Sequence, residues 1–314
     1  ITKDAVLACY AAGRSHGLVL DMGASGTVIT PVVEGAVDSR GVRRSHIGGF
    51  SMDDHTMAML QRRGVDPIPS YRLSKEGVMH GDETHDIIVK QRFLTGVTYS
   101  YDLFRKMEII RDLRRSTSRL ADTSSADDPR LGNLPTLPYE LPDGTVVEIG
   151  PERFEAAELA FRPTTLLSPV APLPAPTSED HLQHQIAGTA QDEKPQNVSF
   201  SSTTRLPYSQ AAVPDLAVEA VMALDSDLQH TLFSSLVLTG GASAFEELGN
   251  RMRSEVANTL LDQQLGYKVK NMSMPAADRA NCNWLGGSIV ASLGAFHEAW
   301  VSKAEYSEFG PGIV

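Results

Sequence analysis

The chain has 314 residues, of which 41% are hydrophobic and 21% charged, and it carries a net charge of −11 at pH 7. This composition is typical of a soluble globular protein with one large domain or two ordinary ones, and no apolar stretch approaches the ~20 residues that a membrane helix needs. The acidic balance argues against a nucleic-acid groove as the main surface, because phosphate binding requires clustered lysine and arginine.

The cysteines, histidines and arginines show no spacing that indicates a metal site or a catalytic site. Cys9 and Cys282 are too few for a structural zinc site and suit a reducing compartment, and no secretory signal is found. The histidines lack ligand or triad spacing, so we predict ordinary surface residues at His16, His46, His55, His80 and His85. The basic run on a helical pattern is predicted to be a solvated face, formed by Arg111, Arg114, Arg115 and Arg119.

Apolar periodicity predicts alternating helices and strands over the first 121 residues. In chain order these are a helix over 4–12, strands over 17–21 and Thr27–Val33, a continuation over 37–43, a helix over 52–62 and a helix over 100–121. Between the last two helices, Pro67, Pro69 and Gly77 predict a connection with a short helix around Lys75.

The rest of the chain contains a hairpin, a proline-rich segment and further helices. Residues 137–149 carry a clear hairpin signal with Asp143 and Gly144 at the turn. A polar and proline-rich run over 164–206 cannot supply a core and predicts a flexible insertion. The remaining predictions are a loop over 124–129, helices over 151–162, 215–232 and 284–303, and a strand over 267–274. Strands and helices therefore mix throughout, which predicts an α/β fold.

Two strands are each followed by a glycine turn. The apolar strand 17–21 ends at Asp21 and leads into the small-residue turn 22–27, and Leu236–Thr239 leads into Gly240 and Gly241. After the second turn, four apolar residues fall on one face of a helix: Leu248, Met252, Val256 and Leu260. A strand, a glycine turn and a helix bring backbone N–H groups up to a phosphate, so the two turns predict two walls of one nucleotide cleft.

Long blocks of this sequence resemble actin. They are YELPDGTVVEIGPERFEAAELAFRP (139–163), LVLTGGASAFEELGNRM (236–252), WLGGSIVASLGAFHEAWVSKAEYSEFGPGIV (284–314) and the opening DAVLACYAAGRSHGLVLDMGASG. The resemblance is closer still to the nuclear actin-related proteins, in particular their fourth class, on GRSHGLVLDMGAS, PIPSYRLSKE (67–76), LGAFHEAW (293–300) and the proline-rich insertion after Pro163. It implies the ATPase fold shared by actin, heat-shock chaperones and hexokinase.

The resemblance also implies a division into subdomains. Residues 1–11 and 282–314 match part of the first actin subdomain, 12–48 and 207–281 the third, and 49–163 the fourth, with 164–206 as an insertion. About a third of the actin fold, including the first phosphate loop, precedes the matching segment in actins. We therefore expect the fold to be partial here.

The resemblance places retained nucleotide-binding positions on the two turns. These positions are Asp21, which would hold magnesium through water, Gly23, Gly26, Gly49, Gly240, Gly241 and Phe245, which can still stack beneath a base. The family's adenine-side lysine falls on Ala280, and its Lys-Glu pair falls on Arg114 and Arg115. ATP with magnesium is accordingly expected to be held statically or not at all.

The family's hydrolytic residues are replaced. Its loop acid falls on Ala24, its water-orienting histidine on Val28, and its hinge glutamine on Asp4. Alanine and valine can neither accept a proton from water nor organise the hydration shell of magnesium. The resemblance thus implies a degenerate ATPase site and no enzymatic activity.

The resemblance further implies a groove that receives partner helices. The positions that would line it are Tyr10, Ile289, Val290 and Leu293, although simple core packing explains Ile289 and Leu293 equally well. We expect a nuclear scaffold subunit of a chromatin-remodelling or histone acetyltransferase complex. Its partners would be a helix of a remodeller ATPase or scaffold subunit, actin or another actin-related protein, and histones. The alternatives are a filament-forming actin homologue that polymerises with ATP, and a sugar-kinase-like or chaperone-like ATPase.

Overall fold

The computed structural model describes residues 2–80, 84–92, 94–123, 130–163 and 211–313. Its strands are β1 (Gly17–Met22), β2 (Thr27–Val33), β3 (Ala36–Val37), β4 (Arg43–Ser45), β5 (Leu73–His80), β6 (Thr84–Gln91), β7 (Leu137–Glu140), β8 (Val146–Ile149) and β9 (Leu236–Thr239). Its helices are α1 (Asp4–Ala11), α2 (Gly49–Arg62), α3 (Tyr99–Thr117), α4 (Glu155–Glu158), α5 (Val213–Met222), α6 (Ser226–Phe233), α7 (Leu248–Asp262), α8 (Cys282–Ala291) and α9 (Lys303–Phe309). None of the described helices is long and apolar enough to cross a membrane.

A five-stranded sheet forms the centre of the structure, in the order β3-β2-β1-β9 with β4 also paired to β2. The strand β1 runs antiparallel to β2 and parallel to β9. Its alternate side chains enter two different cores, because Leu18 and Leu20 pack with α5 and α7 while Val19 packs with α1 and α8. Burial on both faces explains why β1 is an almost continuous apolar run.

A third apolar cluster joins α2, α3 and the β7–β8 hairpin, with Leu60, Ile110, Leu113 and Ile149 fully buried. Gly48 is the N-cap residue of α2, and its N–H donates to the Ser51 hydroxyl at 2.9 Å. The predicted hairpin is confirmed, and Gly144 takes the left-handed conformation at its turn, with φ of +86°. The subdomain boundaries stay a prediction.

The predicted α/β mixture is confirmed, and four predicted elements are wrong or changed. The segment around Lys75 is the strand β5, paired with β6, and not a short helix. Residues 267–274 form no strand beyond one bridge between Leu236 and Asn271. The long last helix ends at Ala291 and is followed by a 3-10 segment and by α9. The continuation over 37–43 is interrupted by a 3-10 turn, Ser39–Gly41.

Smaller boundary changes affect other helices. The helix predicted over 215–232 is divided into α5 and α6, and residues 151–162 begin with a 3-10 turn before α4. The loop predicted over 124–129 and the insertion predicted over 164–206 lie outside the described residues.

Candidate functional site

The two glycine turns lie side by side at one end of the sheet. Because β1 and β9 are parallel neighbours, Asp21 is paired with Thr239, and each strand enters its turn at the same level. At the second turn Gly240 has a φ of +92°, and a Cβ there would overlap the carbonyl oxygen of Met22. Only glycine fits this position without strain. The two turns that the sequence predicted as walls of one cleft are therefore neighbours.

Backbone hydrogen bonds hold the first turn, residues 23–26, against the start of α2. The N–H of Gly49 donates to the Gly23 carbonyl at 2.9 Å, and the N–H of Phe50 donates to the Ala24 carbonyl at 2.7 Å. A Cβ on Gly26 would overlap the Ser45 carbonyl oxygen. The turn is thus fixed by its own packing, with the Ala24 side chain exposed at its tip.

A buried arginine that the sequence analysis missed braces the second turn. The Arg279 guanidinium is 4% exposed and donates from Nη1 to the carbonyls of Ser243, at 2.7 Å, and Phe245, at 3.0 Å. Its Nε donates to the Met274 carbonyl at 3.0 Å, and its own carbonyl accepts the N–H of Gly240 at 3.1 Å. Burial lowers the pKa of Arg279. This residue therefore braces the turn through three backbone carbonyl groups and through its own carbonyl.

Two carboxylates lie near the turns. Burial, followed by the neighbouring Asp4 carboxylate, raises the pKa of Asp21. The Asp4 side chain stands at the start of α1, where its Oδ1 accepts the N–H of Ala5 at 2.8 Å. Within the part of the chain that the structure describes, no three His, Cys, Asp or Glu side chains are grouped to hold a metal ion. A magnesium role for Asp21 stays a prediction.

The basic run on α3 is only partly the solvated face that the sequence predicted. Arg114 is buried and its Nε donates to Asp53 Oδ1 at 2.6 Å, while Arg111 Nε donates to Oδ2 of the same carboxylate at 3.2 Å. Asp53 is fully buried, so a buried charge on α2 is neutralised from α3. Arg115 and Arg119 are exposed.

One histidine prediction is wrong for a similar reason. His55 is 8% exposed, and its Nε2 lies 2.9 Å from Glu155 Oε2. The hydrogen bond from His55 is the main cause that lowers the pKa of Glu155. A carboxylate partner 100 positions away in the sequence could not be recognised by spacing.

The remaining predicted nucleotide positions differ in exposure. Phe245 is half-buried and packs against the main core, whereas Gly241 and Ala280 are exposed and Val28 is half-buried. Gly241 has no atom within 4 Å of a Cβ position. Contacts with the described residues therefore do not require a glycine at position 241.

Tyr10 lies on α1, Ile289 and Val290 on α8, and Leu293 just after α8, and the two helices pack against each other. Tyr10 and Val290 are half-buried, while Ile289 is 43% and Leu293 is 44% exposed. Gly286 is buried at the crossing with α1, where a Cβ would overlap the Leu7 carbonyl oxygen. The apolar side chains at the end of α8 therefore face solvent.

Comparison with known families decides the relationship, since the family model described as actin matches residues 1–314. The chain belongs to the actin family. It is 33% identical to actin-related protein 4 of rice (Oryza sativa subsp. indica) over all of this chain and 63% of the relative, and 30% identical to actin-related protein 4 of Arabidopsis thaliana over the same shares. It is 26% identical to a protein of Schizosaccharomyces pombe named as the arp42 subunit of the SWI/SNF and RSC complexes, over 99% of this chain and 67% of that protein. The chain thus spans about two thirds of these relatives.

The actin family implies ATP with magnesium, and the described residues fit such a ligand only in part. The open side of Gly241 leaves room for a phosphate beside the turn. At two positions that the resemblance assigns to the base side, Arg114 is bound to Asp53, and Ala280 has no hydrogen-bonding side chain. The residues present thus leave room for a phosphate and offer no free polar side chain to a nucleotide base at these two positions.

Proposed function

We propose that the chain belongs to a non-catalytic, actin-related scaffold subunit of a nuclear chromatin-remodelling or histone acetyltransferase complex. The observation that carries this proposal is a pair of exposed apolar side chains, Ile289 near the end of α8 and Leu293 just after it. Exposed leucine and isoleucine side chains on a helix surface suit an amphipathic partner helix laid along them. The names of the relatives support a chromatin complex as the setting.

The site at the glycine turns supports the non-catalytic part of the proposal. The exposed side chain at the tip of the first turn is Ala24, and Val28 follows in β2. Neither can polarise a water molecule, so a nucleotide held here would stay intact. Any ATP with magnesium would have a structural role, as a static ligand between the two turns.

The partner helix would come from a remodeller ATPase or scaffold subunit. Tyr10, half-buried on α1, offers an aromatic ring with a polar tip, a residue type that suits a partly wet interface. The same helix would bring actin or another actin-related protein alongside, and histone contacts would follow from the assembly. We propose no membrane contact and no sequence-specific nucleic-acid recognition.

Affinity purification of the full-length tagged protein from its own cells tests the proposal. A remodeller ATPase, actin and acetyltransferase subunits should be recovered in a fixed ratio. The double substitution Ile289→Asp and Leu293→Asp should release them, because two carboxylates would be buried against an apolar helix.

The matched control is Leu261→Asp, which changes a 68% exposed leucine at the end of α7 and should leave the complex intact. Equal loss with the control would refute the role of α8. Recovery of the protein only with itself, sedimenting as a polymer with ATP, would support the filament-forming alternative instead.

A further inference from the structure

A cleft of about 370 Å³ lies away from the glycine turns, between α3, the β7–β8 hairpin and the segment before β5. On α3 it is lined by Arg105, Glu108, Ile109 and Asp112, which recur at the spacing of one helix face. Its volume falls at the lower end of the range of about 300–1,000 Å³ typical of ligand sites. The cleft can accept one long side chain with its flanking backbone.

The walls of the cleft are partly apolar. Pro69 and Pro142 face it together with Ile109 and the half-buried ring of Tyr139. Such walls suit the methylene stem of a long side chain whose charged end stays near water. A cleft of about 370 Å³ is too small to enclose a helix of about 10–12 Å diameter, so an extended chain suits it better.

The charges of the cleft are unbalanced. Three carboxylates line it, from Glu108, Asp112 and Glu140, against one guanidinium, from Arg105. Arg105 is paired with Glu108, so these two charges neutralise each other. Among the described residues, Glu140 has neither an ion pair nor a hydrogen bond from its side chain. Two carboxylates therefore remain without a cation.

Tyr139 holds the Asp112 carboxylate in place. Its hydroxyl donates to Asp112 Oδ2 at 2.7 Å, and burial together with this carboxylate raises the pKa of Tyr139. The phenol stays neutral at physiological pH, so it orients the Asp112 carboxylate without cancelling its charge. The face of the aromatic ring can also attract a cation.

We propose that this cleft binds a lysine side chain of an extended basic peptide segment. The methylene stem would lie along Ile109 and Pro142, and the ammonium group would lie between the Asp112 and Glu140 carboxylates. Charge complementarity favours a basic occupant, because the two carboxylates would repel an acidic one. This inference depends neither on the α8 surface nor on the glycine turns.

Fluorescence anisotropy with the full chain and a labelled Gly/Ser peptide carrying one central lysine tests the proposal. The lysine peptide should bind saturably, and the acetyl-lysine version should bind about fivefold more weakly or worse. Glu140→Gln and Asp112→Asn should each weaken binding by about fivefold, which corresponds to about 1 kcal/mol for a partly exposed charge pair. Raising the salt concentration should weaken binding by the lysine peptide alone.

The matched control is Glu148→Gln, since Glu148 is an exposed carboxylate on the same hairpin that does not line the cleft. It should leave the affinity unchanged. Equal affinity for the lysine and acetyl-lysine peptides would overturn the proposal. An effect of Glu148→Gln as large as that of Glu140→Gln would also overturn it, because attraction would then come from the overall negative charge.

Discussion

A buried ion pair between α7 and α4 gives the sharpest test of the packing. The side chains of Arg251 and Glu158 are each 2% exposed, and Nη2 donates to Oε1 at 3.1 Å. Arg251 has further partners: Glu255 at 2.6 Å, the Ala121 carbonyl at 3.0 Å and the ring of Phe161 at 4.8 Å. Glu158 Oε2, in contrast, is buried without a hydrogen-bond partner among the described residues. The two members of the pair are therefore unequally compensated.

This inequality predicts unequal effects of substitution. Arg251→Met leaves the Glu158 carboxylate buried without its cation and should lower the free energy of unfolding by about 3–5 kcal/mol. Glu158→Gln leaves Arg251 with its other partners and removes a poorly compensated charge, so it should cost about 1 kcal/mol or less. The double variant should be more stable than Arg251→Met alone.

The pH dependence follows from the pKa of Glu158, which burial raises more than Arg251 lowers it. For an acid with a raised folded-state pKa, the contribution to stability is present below the unfolded pKa and is lost as the pH rises through the folded pKa. Guanidinium denaturation should therefore show that the stability of Glu158→Gln relative to the original chain rises between acidic and neutral pH. If Glu158→Gln costs as much as Arg251→Met, or if the two effects add in the double variant, the reasoning is refuted.

Three further predictions concern the turns, the histidine pair and the thiols. Gly240→Ala should prevent folding or cost several times more stability than Gly241→Ala, which should cost less than about 1 kcal/mol; thermal melts followed by circular dichroism compare them, and equal losses would contradict the turn geometry. Because His55 lowers the pKa of Glu155, Glu155→Gln should destabilise the chain at neutral pH and lose this effect as the pH falls through the depressed folded pKa, which denaturation at two pH values measures. Burial raises the pKa of Cys9 to about 12, so a thiol reagent at pH 8 should label it only after denaturation; rapid labelling of the folded chain would refute its burial.

The strands of the central sheet could be predicted because their apolar pattern and the glycine turns beside them both indicate strands. Residues Thr27–Val33 match β2, since an apolar strand bounded by glycine turns has no competing helical pattern. The strand predicted over 267–274 does not form, because side chains take the place of the backbone partners that a strand would have. The N–H of Leu238 donates to Ser273 Oγ at 2.7 Å, and Asn271 Oδ1 accepts the N–H of Ser273 at 3.1 Å. Such local side-chain bonds compete with a β ladder and end it after one bridge.

The end of the last helix carried a signal that the sequence analysis did not use. Ser302 caps α9, with its hydroxyl accepting the N–H of Glu305 at 3.2 Å and the Glu305 carboxylate accepting the N–H of Ser302 at 2.7 Å. Ser-x-x-Glu is visible in the sequence as the start of a new helix. The strand β5 had no such signal, because its pairing partner β6 decides its conformation over Gly77.

At the candidate site, the turns could be predicted but the charges around them could not. The adjacency of the turns follows from apolar strands that must pair in one sheet. The roles of Arg279 and Asp53 depend on carbonyls and guanidinium groups from distant segments, and a lone charged residue in a sequence does not show whether it is buried. These charges can be buried only because a partner from a distant segment, a carbonyl group or a guanidinium group, forms hydrogen bonds with them.

The glycine turns allow a folding requirement to be separated from a binding requirement. Gly240 and Gly26 are required by the chain's own backbone, since a Cβ at either would overlap a carbonyl oxygen. Any variant that replaced them would lose stability whether or not a phosphate binds. Gly241 has open space and an ordinary φ, so only a ligand would require a glycine there. The first two glycines are therefore needed for folding, whereas Gly241 is the position at which binding can be tested without a large loss of stability.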